Sequence, residues 1–356
     1  MARRSGSARP PCVSSPSATT ASHGARTKAS EMQVQTRFTY DVASALSQGQ
    51  RDNQEDAVIA DFPLGGDVGF CVLADGMGGH ASGDIASKIV VTEVFAELKL
   101  QCGDTDLFES NIAEILNDAA QSANDCVRQH AEANPESWGM GATLVAPVLV
   151  RDHLYWISVG DSPLFLYRDG VLIQLNEDHS MASQIDYMVE HGMMTAETGE
   201  GHPDRHCLTS VLIGGEIARI DCPARPVALR DGDIILVASD GIQFLEESEI
   251  AGLIEDRADR SSAEITRYLI RALDALADPE QDNVSLCVIK VSAQGSGSGE
   301  PADRQTPEAG LPIHVEPALA AAAMQAAPGR VTVMARSGRD GLSMFYHVKR
   351  RAERTA

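Results

Sequence analysis

The sequence predicts an α+β fold in which antiparallel sheets carry helices on their outer faces. Apolar runs of strand length recur along the chain, at residues 68–74, 154–159, 234–238 and 284–291. Several are bounded by tight turn residues, such as Asp169-Gly170 after the run at 164–167, and such tight links join antiparallel neighbours. Helical periodicity comes in paired stretches between groups of strands, whereas a doubly wound parallel sheet needs strict alternation. With 356 residues and 43% hydrophobic content, the chain can bury one large core.

Taken in order, residues 1–35 are rich in Arg, Ser, Ala and Pro and read as a disordered leader. They are poor in acids, as an organelle transit peptide is, but hold no apolar h-region. Phe38, Tyr40 and Val42 then alternate with polar neighbours as a half-buried strand, and residues 57–60 and 68–74 continue the strand signal. From Ser82 the period changes, with Ile85, Ile89, Val94, Phe95 and Leu98 forming a helical stripe. A second helix carries Ile112, Ile115, Leu116, Ala119, Ala123 and Val127 on one face. Strands come next at 142–150, 154–159 and 164–167. Residues 178–214 are polar and rich in Gly and His, a surface excursion with one short helix. After the buried strand at 234–238, Ser261 and Glu264 make a capping box for a helix bearing Ile265, Leu269, Leu273 and Leu276. The strand at 284–291 closes a domain spanning 36–292. Ser-Gly repeats and an Ala-rich stretch mark 293–356 as a flexible tail.

The formal net charge is -22, and residues 32–292 hold 44 acidic against 16 basic side chains. That balance excludes nucleic acid as the main partner, because phosphate backbones demand clustered Lys and Arg. No apolar run approaches the roughly 20 residues that span a bilayer. Seven cysteines, odd in number and without a C-x-x-C pair, form neither a disulfide framework nor a zinc site, so a reducing cytoplasm is expected.

Five acidic positions punctuate the chain: Glu55-Asp56, Asp75, Asp161, Asp240 and Asp282. Most sit beside a Gly or Asn, and most come after a strand-like run. A single Asp at a strand end is an ordinary turn former. A whole set of them points to hard cations, and oxygen donors without His or Cys suit Mg²⁺ or Mn²⁺. Two ions about 3.5–4 Å apart can share one carboxylate and clamp a phosphoryl group; Asp75 is the natural bridge. Gly76 has no side chain, so its carbonyl can approach a cation closely. Arg51 offers the planar fork that binds phosphate oxygens, or it pairs with Glu55 or Asp56. Asp161 lies in a Gly-Asp-Ser turn that is satisfactory without an ion. His179 orders the excursion, and His80 starts a helix.

The stretches Arg51-Asp52-Asn53-Gln54-Glu55-Asp56, Asp75-Gly76-Met77-Gly78-Gly79-His80, Gly141-Ala142-Thr143, Gly160-Asp161-Ser162, Asp178-His179-Ser180, Ser239-Asp240-Gly241 and Asp282-Asn283 resemble, in order, the motifs of the metal-dependent type 2C (PPM) protein phosphatases, bacterial branch. The resemblance implies a four-layer α-β-β-α sandwich of two antiparallel sheets flanked by helices, with the metals at one end. It implies that Asp75 bridges two Mn²⁺ or Mg²⁺ ions. Glu55, Asp56 and the Gly76 carbonyl would hold one, and Asp240 with Asp282 the other, with Asp161 available to a third. Arg51 would bind the substrate phosphate, and metal-bound hydroxide would attack without a phosphoenzyme. Phosphoserine and phosphothreonine proteins are the implied substrates, a bacterial Ser/Thr kinase the implied counterpart, and a cytoplasmic monomer the implied form. The alternative is a catalytically inactive binding module on the same fold. Three positions depart from the family pattern: Pro163, Phe244, and Met77 in place of a histidine.

Overall fold

The computed structural model describes residues 38–78, 82–205 and 207–293, together with the strands Arg330–Gly338 and Gly341–Lys349. The expected leader and His80 lie outside the described residues. Ten strands build two five-stranded sheets, and every pairing within them is antiparallel. In chain order the first elements are β1 (Phe38–Ser47), β2 (Ala57–Asp61), β3 (Val68–Ala74), β4 (Gly76–Met77), α1 (Ser82–Gln101), α2 (Thr105–Ser110) and α3 (Ile112–Ala133). Then come β5 (Gly141–Ala142), β6 (Leu144–Val150), β7 (His153–Val159), β8 (Leu164–Arg168), β9 (Val171–Gln174), α4 (Ala182–Glu190), α5 (Ala196–Glu200), β10 (Val227–Ala228), β11 (Ile234–Ala238), α6 (Glu247–Glu255), α7 (Ser262–Leu276) and β12 (Val284–Ala293). One sheet runs β1-β12-β11-β8-β9 and the other β10-β7-β6-β3-β2.

The strand residues explain the layering. All seven residues of β3 are buried, so its run is continuously apolar rather than alternating. Phe70, Val72 and Ala74 face α1 and α3, packing with Val90, Val94, Leu98, Leu116 and Ala123. Cys71 and Leu73 point the other way, into an inter-sheet layer with Val145, Leu149, Ile235, Val237, Cys287 and Ile289. Leu286 and Val288 of β12 turn outward to meet Ile250 and Ile254 of α6 and Ile265, Leu269 and Leu273 of α7. Helix, sheet, sheet and helix thus stack as four layers, as the motifs imply.

Some local expectations shift. On α1 the inward stripe is Ala86, Val90, Val91, Val94 and Leu98, and Ile85 is exposed. This helix is apolar around much of its girth, so periodicity alone does not choose the inward face. Leu276 is also exposed, at the last turn of α7. Ser261 does cap α7, accepting the Glu264 N–H at 3.3 Å. The reciprocal capping box belongs to α6, between Glu246 and Glu249. The excursion at 178–214 holds two short helices, α4 and α5, rather than one. Asp169 and Gly170 both take positive φ, +53° and +82°, as a tight hairpin turn requires. Within the stretch read as a tail, Arg330–Gly338 and Gly341–Lys349 pair as an antiparallel hairpin. Among the described residues, no helix is long and apolar enough to cross a membrane.

Candidate metal centre and phosphate site

Antiparallel register brings the acidic strand ends together. Ala57 pairs with Ala74, so the start of β2 lies beside the end of β3. Leu73 pairs with Val145 and Leu144 with Val159, which carries the end of β7 to the same edge. In the other sheet Ala238 pairs with Leu286, placing the end of β11 beside the start of β12. Glu55, Asp75, Gly76, Asp161, Asp240 and Asp282 consequently line one cleft of about 720 Å³, with Arg51 at its side. Asp56 lies just behind it, 4% exposed.

Neutral residues next to the acids hold them in place. The Thr143 hydroxyl accepts the Asp75 N–H at 2.9 Å and shares a 2.8 Å hydrogen bond with Ser162. The Thr143 N–H donates back to the Asp75 carbonyl at 2.8 Å. The Ser239 hydroxyl donates to Asp56 Oδ2 at 2.7 Å and accepts the Ser285 N–H at 2.9 Å. Asn283 fastens the β1–β2 loop: its Oδ1 accepts the Glu55 N–H at 2.7 Å, and its Nδ2 donates to the Gln48 and Asn53 carbonyls, each at 2.9 Å. His179 is fully buried, and its Nδ1 accepts the Gly160 N–H at 3.2 Å beside Asp161. Burial lowers its pKa, which suits a neutral, accepting ring. His179 thus orders the base of the excursion, as expected. Asp178 caps no helix; its carboxylate accepts the Ser180 N–H at 2.8 Å in a local turn.

The carboxylates crowd one another in a poorly solvated place. Burial raises Asp56 to about 7; Asp240 pushes the same way and the Ser239 hydroxyl opposes it. Burial, then Asp56 and Asp240, lift Asp75 well above the usual range. Asp161 rises to about 7 through burial and the charge of Asp240, and Glu55 also rises through burial. Acids in a cleft whose pKa values are raised by burial and by one another are candidates for a functional site.

The donor set fits divalent cations. It is dominated by carboxylate oxygens, and Asp56 Oδ1 is buried with no hydrogen-bond partner among the described residues. Gly76 is packed so closely that a Cβ would overlap the Gly83 carbonyl oxygen and stand 2.6 Å from the Glu55 carbonyl. A Cβ on Gly83 would stand 2.5 Å from Glu55 Oε2. Among the described residues, no three His, Cys, Asp or Glu side chains are grouped tightly enough to hold an ion as they stand. Two of the acids have protein partners: Arg51 Nη2 donates to Asp282 Oδ2 at 2.6 Å, and Ser239 donates to Asp56 Oδ2. Arg51 therefore pairs with neither Glu55 nor Asp56. Phe244 lines a neighbouring cavity of about 800 Å³ that shares Arg51, Asp240 and Asp282 with the main cleft, and it offers no oxygen there.

The packing at Gly76 gives a direct expectation. Gly76→Ala lowers stability by about 2–3 kcal/mol, because two backbone carbonyls must move to admit a methyl group. Gly103→Ala is the control, since a Cβ there meets nothing within 4 Å. Urea denaturation of the two variants checks this. Equal midpoints would show that the first turn of α1, which carries Gly83, yields freely.

Comparison with known proteins agrees with the fold. The protein phosphatase 2C family model matches residues 45–282. The chain belongs to the protein phosphatase 2C family. It is 31% identical over 252 residues to the serine/threonine protein phosphatase PstP of Mycobacterium tuberculosis, covering 70% of this chain and 45% of PstP. The chain thus spans less than half the length of that relative. It is 28% identical over 221 residues to the serine/threonine phosphatase stp of Listeria monocytogenes, covering 62% of this chain and 83% of stp. Among solved structures, the PstP catalytic domain in complex with two manganese ions aligns with a TM-score of 0.56 and 29% identity, over 71% of this chain and all of that one. The phosphatase 2C sandwich is thereby established.

Sequence reasoning missed the groups that aim the acids. Thr143, Ser162, Ser239 and Asn283 stood inside the quoted motifs without a role. A hydroxyl or amide beside an acid at a strand end was the available signal.

Proposed function

We propose that this phosphatase 2C chain hydrolyses phosphoserine and phosphothreonine in proteins, using two Mn²⁺ or Mg²⁺ ions, with Asp161 available to a third. The observation that carries the reading is the gathering of Glu55, Asp75, Asp161, Asp240 and Asp282 in one cleft beside Arg51, with Asp56 buried behind them. In this reading Asp75 would serve both ions, with Glu55, Asp56 and the Gly76 carbonyl holding one and Asp240 with Asp282 the other. Such ions would supply Lewis-acid polarisation of the phosphoryl group and an activated water.

The chain's own residues do the rest. Arg51 exchanges Asp282 for the substrate, since a phosphate dianion offers its guanidinium two oxygens in one plane. Ser239 holds the Asp56 carboxylate, and Thr143, backed by Ser162, and Asn283 fasten the backbone at Asp75 and Glu55, so the acids need little reorganisation when phosphate arrives. Met77 presents a thioether where a histidine would supply a proton, so protonation of the leaving serine or threonine does not come from that side chain. A Ser/Thr kinase is the partner whose products this reaction consumes. The six described cysteines are free thiols, which suits a monomer working in a reducing cytoplasm.

The test is turnover by the purified full chain with Mn²⁺, on an aryl phosphate and on a phosphothreonine peptide. Both are hydrolysed, and excess chelator or Asp240→Asn abolishes both rates. Activity that survives chelation would overturn the metal-dependent reading. Cation binding without any turnover would instead make the chain a binding module on a phosphatase fold.

A further inference from the structure

Met77, which lines the cleft, and Ile213, its neighbour across Gly141, form a small apolar shelf, 40% and 49% exposed respectively. Both lie over Gly141: a Cβ there would stand 2.5 Å from Ile213 Cγ2 and 3.5 Å from Met77 Cγ. The shelf is built rather than loose. Leu212 exchanges two backbone hydrogen bonds with Ala142, each 3.0 Å. Asn124, buried on α3, grips the next two residues; its Oδ1 accepts the Gly214 N–H and its Nδ2 donates to the Gly215 carbonyl, both at 2.7 Å. Gly214 takes φ +81°, and a Cβ on it would stand 2.5 Å from Arg128 Cβ, so only glycine suits this turn.

A buried amide with both ends engaged therefore fixes an isoleucine that the core does not use. Rigid exposed apolar surface beside a polar cleft is a mark of ligand recognition. Met77 also lines the carboxylate cleft, together with Leu208 and Val211 from the excursion, so a chain presenting its phosphate at Arg51 passes the shelf. The cleft's acids include Asp52, Glu55 and Asp282 beside Arg51, and its apolar lining is Met77, Leu208 and Val211, with Ile213 adjoining Met77 across Gly141.

We infer that the Met77–Ile213 shelf receives an apolar side chain close in sequence to the phosphorylated residue of the protein substrate. This rests on the phosphatase reading above and adds a substrate preference to it. An apolar contact of this size discriminates by about tenfold. The test uses the full chain with Mn²⁺ and phosphothreonine peptides that differ only in Leu, Ala or Asp beside the phosphothreonine. The Leu peptide is expected to exceed the Ala peptide about tenfold in kcat/KM, mainly through KM, with the Asp peptide lowest. The Leu-to-Ala ratio falls close to one in Ile213→Ser and is kept in Ile213→Leu. A ratio within one variant is insensitive to how much of that variant is active. Equal kcat/KM on the three peptides, from protein that hydrolyses aryl phosphate, overturns the shelf alone, as does an unchanged ratio in Ile213→Ser. Failure to hydrolyse aryl phosphate overturns the phosphatase reading itself.

Discussion

Asp75→Ala should abolish hydrolysis while leaving the fold more stable than wild type in chelator. The activity loss is expected at about a thousandfold or more, the scale seen when a single preorganised electrostatic group is removed. The gain in stability comes from the neighbours of Asp75. Its carboxyl is buried, and Asp56, Asp240 and Asp161 all add negative charge beside it. Asp75 shares a side-chain hydrogen bond with Asp240, while Thr143 binds its backbone, so the substitution leaves the strand end held. Relief of this crowding is expected to add about 1 kcal/mol at pH 8, within the range for substitutions that give up function for stability. Urea midpoints in chelator and phosphopeptide turnover with Mn²⁺ check the two halves separately. Turnover within tenfold of wild type would remove Asp75 from the centre of the chemistry. A lowered midpoint would instead make the carboxylate part of the scaffold.

The same residues show what the sequence could and could not reveal. The continuous apolar runs of β3, β11 and β12 read plainly as strands, because a strand between two layers is buried on both faces. The acids at their ends were equally visible, since each closes or opens such a run beside a turn residue. What could not be read was engagement. Arg51 meets Asp282 across 231 positions, Ser239 meets Asp56 across 183, and Asn124 meets Gly215 across 91. Local periodicity holds no record of such pairs, and Asn124 sits on α3 among apolar residues with nothing to single it out. The excursion was read as polar surface, yet it carries Ile213 to Met77 across Gly141, where Ala142 and Asn124 hold its far end. Short elements such as α2 and β10 were missed for a related reason: six and two residues show too little of a period to be distinguished from loop.

Mn²⁺ should raise the melting temperature of the full chain, and raise it more at pH 8 than at pH 5. In chelator, Asp56 and Asp161 have folded pKa values pushed up to about 7 from 3.8, and Asp75 lies higher still. Between about pH 4 and pH 7 the folded state therefore binds more protons than the unfolded state. Stability in chelator then falls as pH rises through that window, at most by about 1.4 kcal/mol per pH unit for each group. A divalent cation reverses the trend. It binds the ionised carboxylates, so protons compete with it at pH 5 and no longer do so at pH 8. At a hundredfold excess over its Kd, one bound ion adds about 2.7 kcal/mol to the folded state. For a domain of this size that corresponds to roughly 5–10 °C in Tm. Mg²⁺ should act in the same direction, whereas a monovalent salt at equal ionic strength should not. Thermal melts at the two pH values, with chelator and with Mn²⁺, read the effect without any substrate. An equal Mn²⁺ shift at both pH values would mean that the cation does not bind these carboxylates. In that case the raised pKa values would reflect burial alone, and the acids at the strand ends would need another explanation.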